Sequence, residues 1–225
     1  MTDLSAHPAT PTPSRRRAVW LTAEFLFLFF AIPTCFYYGL VQANLILCLV
    51  VSGAICLTVL LRDPTFDRKQ LWNGPAFKRA LPGIAIRFVI GAALITAGLL
   101  YYEKERLFIL IEQKPLLWAI IMLAYPLFSV YPQEIIFRAF LMHRYAPVFK
   151  SPAIAILASA AAFGYGHIIL NGVAVIMTFI GGALFAYTYH RSRSLAAPSL
   201  EHALYGNFIF TIGLGQYFYI GTMGQ

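Results

Sequence analysis

Long apolar runs separated by short polar loops are the main pattern along this chain. Because lipid offers no partners for backbone N–H and C=O groups, apolar runs of this length form helices. The pattern therefore predicts an all-α fold, a polytopic membrane helix bundle of about seven transmembrane helices. The runs cover about residues 18–40, 41–61, 81–102, 116–144, 152–170, 172–190 and the segment that begins near 195.

The first residues have a different composition. Residues 1–17 are rich in Pro, Thr, Ser and Ala and end in three consecutive arginines, which predicts a disordered basic N-terminal tail. The run that follows is too long for the apolar part of a signal peptide and lacks a clear cleavage site, so we expect a retained first span. Residues 18–225 show no internal repeat and are interpreted as a single transmembrane bundle.

Composition supports a membrane protein and excludes an ordinary soluble domain. Hydrophobic residues make up 60% of the chain and charged residues 12%, with a mean hydropathy of +0.71. The net charge of +8 does not indicate a nucleic-acid partner, because the basic residues lie in short loops between apolar runs. The three cysteines, Cys35, Cys48 and Cys56, form no CxxC pattern and are interpreted as packing residues.

The loop cations also predict an orientation. Twelve Lys and Arg residues fall on the side of the N-terminus and three on the other side, which predicts a cytoplasmic N-terminus. Composition and size suggest a multi-pass protein of a bacterial inner membrane. The lipid bilayer is thus an expected partner.

Candidate chemistry lies inside the apolar runs. Glu134 and Arg138 are four residues apart in one run, and His167 and His202 lie in two later runs. An isolated Glu–Arg pair has an alternative explanation as a structural ion pair. A carboxylate with two histidines, however, suits general-base catalysis on water or metal binding. Helical rise places all three groups in one layer of the cytoplasmic half of the bilayer, where Pro126 and Pro132 favour a water-filled cavity.

These clusters resemble the motifs of the CPBP family of intramembrane proteases, the CAAX prenyl endopeptidase and bacteriocin-processing group also called Abi. The first family motif, Glu-Glu-x-x-x-Arg, is matched by the segment Gln133 to Arg138, and the second, Phe-x-x-x-His, by Phe163 and His167. The third, His-x-x-x-Asn, is matched by His202, although Gly206 stands four residues on and the asparagine is Asn207. The resemblance covers a catalytic core at about residues 116–215.

The resemblance implies a glutamate-type endopeptidase that needs no metal or other cofactor. A carboxylate and the second-motif histidine would activate water, and the third-motif histidine and asparagine would stabilise the oxyanion. Carried onto this chain, Glu134, His167 and His202 are the expected catalytic residues, with Gln133, Arg138, Asn207 and Phe163 in support. The expected partner is a protein or peptide cleaved near its membrane-proximal end, with lipid-modified and membrane-anchored substrates among the candidates.

Two departures from the family pattern leave alternatives open. The family's usual base is the first glutamate, whose place Gln133 takes. Glu134 can carry the chemistry with Gln133 orienting water, which we prefer; the chain can be a natural pseudoenzyme; or Gln133 can be an introduced, inactivating change. Asn207 lies about 140° around the helix from His202, so it joins His202 only if the helix bulges or ends there.

Two further classes remain as alternatives to the metal-free protease. A metal-dependent protease would use Glu134, His167 and His202 as ligands, but the zinc-peptidase signature HExxH is absent from the sequence. A non-catalytic membrane protein, such as an immunity factor or a transporter, would use the same polar groups for binding or ion passage.

Overall fold

The computed structural model describes residues 13–218, and 82% of these residues are helical, with no strand among them. The predicted all-α class is therefore confirmed. Part of the predicted tail, residues 1–12, and the last residues of the predicted bundle, 219–225, lie outside the described range. Seven principal helices are α1 (Arg15–Tyr37), α2 (Leu45–Arg62), α3 (Gly74–Tyr102), α4 (Pro115–Arg144), α5 (Pro152–Tyr165), α6 (Gly172–Ser192) and α7 (Ala196–Ile212).

Among the described residues, five helical segments are long and apolar enough to cross a membrane, namely α1, α2, α3 with the turn before it, α4 and α6. The predicted count of seven spans is therefore not confirmed within residues 13–218. Helix α5 has 14 residues, a length of about 21 Å at the usual helical rise, against a hydrocarbon core about 30 Å thick. Helix α7 has 17 residues and ends at Gly213, whose φ of 108° breaks the helix.

The first helix begins within the predicted tail. Arg15 is the first helical residue, and the Ser14 hydroxyl accepts a hydrogen bond from the backbone N–H of Arg17. This side-chain cap satisfies one of the free N–H groups of the first turn. The three arginines thus form part of the first turn of α1.

Charged side chains connect helix ends at one side of the bundle. Arg144, at the end of α4, donates two hydrogen bonds of 3.0 and 2.9 Å to Glu24 of α1. Asp63, just after α2, accepts hydrogen bonds from the side chain and backbone of Thr65 and lies 3.0 Å from His143 Nε2. The Thr65 hydrogen bonds, with His143, lower the pKa of Asp63 to about 2. Ionic contacts therefore join the end of α4 to α1 and to the residue after α2.

Helix α4 is wound irregularly around the candidate residues. Two π-helical turns, Pro126–Val130 and Ile135–Phe140, flank a single α-helical turn, Tyr131–Glu134. Helix α2 approaches this turn closely, because a β-carbon at Gly53 would lie 3.0 Å from the Pro132 β-carbon. Wide turns of this kind rotate the following side chains relative to a regular helix. They place Glu134 and Arg138 toward α6 and α7.

Candidate active site

Glu134 is fully buried and contacts two of the predicted site residues. One carboxylate oxygen, Oε1, lies 2.8 Å from His202 Nδ1 on α7. The other, Oε2, lies 3.3 Å from Arg138 Nε, one turn further along α4. Since a carboxylate oxygen accepts, His202 Nδ1 is the donor. Glu134 therefore connects the first and third motifs directly.

Arg138 is a buried cation with few hydrogen bonds. Its Nη2 donates to the Gly182 carbonyl on α6 at 3.3 Å, while Nε and Nη1 have no hydrogen-bond partner among the described residues. The 3.3 Å contact with Glu134 is thus a charge contact that is poorly aligned for hydrogen bonding. The guanidinium carbon lies 4.4 Å from the ring centroid of Phe163 and 5.4 Å from that of Phe185. These cation–π contacts stabilise the charge away from water.

His202 is held on both ring nitrogens and on one face. Nδ1 donates to Glu134, Nε2 lies 3.1 Å from the Tyr125 hydroxyl, and Phe185 stacks on the ring at 4.7 Å with an interplanar angle of 17°. A buried carboxylate on Nδ1 fixes which nitrogen faces the neighbouring group. The Nε2 atom is therefore directed at Tyr125.

His167 lies in the turn that follows α5, one residue beyond the Gly166 helix cap. Its Nδ1 lies 2.7 Å from the Phe163 carbonyl oxygen, and because a carbonyl only accepts, Nδ1 donates. The neutral ring then carries its lone pair on Nε2. The Phe163 ring centroid lies 4.8 Å from His167 and 5.3 Å from His202. Phe163 thus spaces the two imidazoles and also contacts Arg138.

Gln133 precedes Glu134 but takes a different environment. Its Nε2 donates to the Ser129 hydroxyl at 2.8 Å, whereas its Oε1 is buried with no hydrogen-bond partner among the described residues. An unpaired buried acceptor of this kind is costly unless something donates to it. The amide oxygen therefore lacks a partner, and a rotation of the Gln133 side chain, which lines the cavity, would bring it to a water molecule or a substrate N–H group.

A cavity of about 1290 Å³ opens beside these residues. Its walls come mainly from apolar side chains of α1, α2, α3, α4 and α6. The polar side chains in the wall include Gln133, His167, His202 and Tyr125. Glu134 and Arg138 lie behind this wall, fully buried. The polar residues of the wall that lie nearest the predicted motifs are thus the two histidines, the glutamine and the tyrosine.

Asn207 does not join His202. Its Nδ2 donates to the Met122 carbonyl on α4 at 3.3 Å, and its Oδ1 has no partner among residues 13–218. Tyr125 occupies the space beside His202 instead, because a β-carbon at Gly206 would overlap the Tyr125 ring. The glycine at the position of the family asparagine therefore makes room for a tyrosine hydroxyl on the same histidine.

Two features of this region were missed from the sequence. Tyr125 is one aromatic residue among many, and no spacing rule relates it to His202. Glu201 is fully buried and accepts a hydrogen bond of 2.7 Å from Arg87 Nε on α3 and another from the Thr188 hydroxyl. The carboxylate of Glu201, directly before His202 in the sequence, could have indicated a second ion pair, since a charged side chain inside a membrane span needs a partner.

The side chains offer no three-ligand metal site within residues 13–218. No group of three or more His, Cys, Asp or Glu residues is arranged to hold a metal ion there. Glu134 and His202 are in contact, but they form a hydrogen-bonded pair with Arg138 as the third charged member.

Comparison with known families gives one match. Residues 115–208, less than half of the 225-residue chain, match the family model described as "Type II CAAX prenyl endopeptidase Rce1-like". This match confirms the resemblance to the CPBP membrane proteases. Neither the curated proteins nor the solved structures yield a match to the chain.

Proposed function

Because residues 115–208 identify the helical core with the CAAX prenyl endopeptidase Rce1-like family, we propose that this multi-pass membrane protein is an intramembrane endopeptidase. The observation that carries the proposal is the convergence of Glu134, His167 and His202 around Phe163. Both imidazoles line an apolar cavity large enough for the end of a peptide. A buried pair of histidines backed by a carboxylate suits hydrolysis better than passive helix packing.

In the proposed reaction, His167 Nε2 removes a proton from water while the water oxygen bonds to the carbonyl carbon of the peptide. The carbonyl π electrons move to oxygen and form an oxyanion. When the carbonyl re-forms, the C–N bond breaks, and His167 returns the proton to the departing amine. The free Oε1 of Gln133 accepts a hydrogen bond from the attacking water and orients it. These roles need no group beyond the chain and water.

Glu134 acts through His202 in this scheme. The family resemblance implies that Glu134 shares the attacking water with His167, but the Glu134 side chain lies behind the cavity wall and contacts His202. The carboxylate accepts a hydrogen bond from His202 Nδ1–H, so the neutral ring carries its lone pair on Nε2, which faces the Tyr125 hydroxyl. The Tyr125 hydroxyl, which His202 Nε2 holds in place, then donates to the oxyanion. Tyr125 takes the part that the family pattern gives to asparagine.

The proposed substrate is a protein or peptide cut near a membrane-anchored or lipid-modified end. An apolar cavity of about 1290 Å³ can hold an acyl or prenyl chain beside the scissile bond, because apolar surface there needs an apolar occupant. We place the N-terminus and the cation-rich end of the bundle in the cytoplasm, and the protein in a bacterial inner membrane.

The test compares two histidine variants that differ in position only. Wild type, His167→Ala and His143→Ala are purified in detergent and given a farnesylated peptide that ends in a CAAX sequence, and products are read by mass spectrometry. Comparison of membrane peptidomes with and without each variant extends the search to other substrates. His143 pairs with Asp63 outside the site, so its variant should cleave normally, whereas His167→Ala should lose cleavage. Normal turnover by His167→Ala would falsify the assignment.

A non-catalytic role is the second candidate, and Gln133 is the observation that favours it. An amide lines the cavity where the family pattern places a carboxylate, and an amide cannot take up a proton. A pseudoenzyme or immunity factor of this kind would bind a peptide without cutting it. It predicts equal peptidomes for wild type and His167→Ala, together with protection or binding that survives both His167→Ala and Glu134→Ala.

A further inference from the structure

A second cavity of about 330 Å³ lies between α3 and α6, apart from the candidate active site. Three arginines line it: Arg79 and Arg87 come from α3, and Arg191 comes from the last turn of α6. Tyr187 also lines it, with its ring centroid 5.9 Å from the guanidinium carbon of Arg87. Three guanidinium groups around one small cavity repel one another unless an anion is present.

Only one carboxylate offsets this charge. Arg87 donates from Nε to Glu201 at 2.7 Å and from Nη2 to the Thr188 hydroxyl at 2.8 Å. Within residues 13–218, Arg79 and Arg191 form no ion pair, and both side chains are exposed. The hydrogen bonds hold Arg87 rigidly in the wall, while the other two arginines remain free to close over a ligand. The cavity therefore carries an uncompensated charge of about two units.

The cavity opens at the cation-rich end of the bundle. The start of α3 and the end of α6 meet there, since Asn73 N–H donates to the Ser194 hydroxyl at 3.1 Å and Leu195 N–H donates to the Gln70 carbonyl at 2.7 Å. This end also carries the ionic contacts between α1, α2 and α4. A basic pocket at a helix end lies at the depth of lipid headgroups.

We propose that this arginine pocket, formed by Arg79, Arg87 and Arg191, binds a phosphate group. Arginine presents planar donors that match phosphate oxygens in pairs, and one fixed guanidinium with two mobile ones suits an anion that enters from the surface. The phosphate can belong to the headgroup of an anionic phospholipid or to a soluble phosphate. Because Arg87 also holds Glu201, the residue before His202, the pocket shares one side chain with the framework of the candidate active site.

The test measures lipid and phosphate binding separately. The protein is reconstituted in an equimolar mixture of phosphatidylcholine and phosphatidylglycerol, re-purified in detergent, and analysed for retained lipid by native mass spectrometry. Inorganic phosphate is titrated into delipidated protein by calorimetry. The variant is Arg79→Gln/Arg191→Gln, whose exposed side chains can change without disturbing folding. Arg16→Gln/Arg62→Gln is the matched control, since it removes the same charge from the same end outside the pocket.

We expect the pocket variant to retain about tenfold less phosphatidylglycerol than the control variant, because each cation near an anionic headgroup strengthens binding severalfold. If the pocket variant also loses binding of inorganic phosphate, the phosphate group of the headgroup is sufficient for binding. If the protein binds inorganic phosphate but shows no selectivity for phosphatidylglycerol, the ligand is a soluble phosphate. If it selects phosphatidylglycerol but does not bind inorganic phosphate, the ligand is a lipid. Equal losses in the pocket and control variants, or no binding of either probe, would overturn the proposal.

Discussion

At the scale of single residues, the polar side chains of the site contact one another but differ in burial and in access to the cavity. Glu134 and Arg138 are fully buried, whereas Gln133 and His167 reach the cavity. Gln133 can therefore contact water in the cavity, whereas the adjacent Glu134 can act only through His202. This division follows from the α-helical turn that holds both residues, because successive side chains in such a turn point about 100° apart.

Restoring a carboxylate at residue 133 should raise activity. Gln133→Glu places an ionisable group in the cavity wall beside His167, where it can take a proton from water that the amide cannot take. A positioned general base contributes about 10²-fold or more to a rate, so we expect kcat on the cleaved peptide to rise by roughly that factor. Unchanged or lower kcat would mean that the amide itself orients the water and that the chain does not depend on the family's first glutamate.

The buried Glu134–Arg138 pair should show strong coupling in stability. Arg138→Ala leaves the Glu134 carboxylate without its cation, and loss of one partner of a buried pair costs about 3–5 kcal/mol. Thermal unfolding in detergent, followed by circular dichroism, measures the loss. The double variant Glu134→Gln/Arg138→Met removes both charges and keeps an acceptor for His202, so it should recover more than half of the lost stability. Additive losses in the double variant would contradict the coupling.

At the scale of helices, close packing decides which side chains meet. Helix α7 approaches α4 so closely at Gly206 that only a residue without a β-carbon leaves room for the Tyr125 ring. The Tyr125 hydroxyl reaches His202 Nε2 as a result. A glycine that departs from the family motif is thus explained by its neighbour on another helix.

Gly206→Ala should displace Tyr125 and weaken both packing and catalysis. Overpacking of this kind costs about 1–3 kcal/mol, and loss of an oxyanion donor costs about 10²-fold in kcat. The informative companion is Tyr125→Phe, which keeps the ring but removes the hydroxyl. It should lower kcat with little change in KM or thermal stability. A Tyr125→Phe enzyme with normal kcat would remove Tyr125 from the oxyanion site.

At the scale of the whole molecule, the ionic contacts and the loop cations lie at the same end of the bundle. Glu24 with Arg144, Asp63 with His143, and the arginine pocket all lie near the ends of α1, α2, α4 and α6. The opposite end carries Glu103, which accepts a hydrogen bond from Tyr217 at 2.5 Å. The pKa of Tyr217 is raised chiefly by that hydrogen bond. The two ends therefore differ in charge in the way that orients a membrane protein.

Orientation can be measured by cysteine labelling. With Cys35, Cys48 and Cys56 replaced by serine, a single cysteine is introduced at Lys69 or at Lys104, in loops on opposite sides of the bundle. A membrane-impermeant maleimide added to intact spheroplasts should label the variant at residue 104 and spare the variant at residue 69, because cation-rich loops stay in the cytoplasm. The reverse pattern would place the N-terminus outside.

The sequence by itself determined the helical membrane class, the family motifs and most of the candidate residues. Hydrophobic runs and the charges inside them can be recognised from the local sequence, because lipid penalises every unpaired polar group whatever the tertiary fold. Boundaries were less certain from the pattern. Apolar residues continue past Tyr165, and only the turn through His167 shows where α5 ends.

Tertiary structure alone decided the contacts. That Glu134 contacts His202, that Gln133 lines the cavity, and that Tyr125 rather than Asn207 contacts His202 depend on π-helical turns and on helix–helix distances. The arginine pocket likewise joins residues about a hundred positions apart. The spacing of residues along one helix does not predict these contacts, because they depend on how separate helices pack against one another.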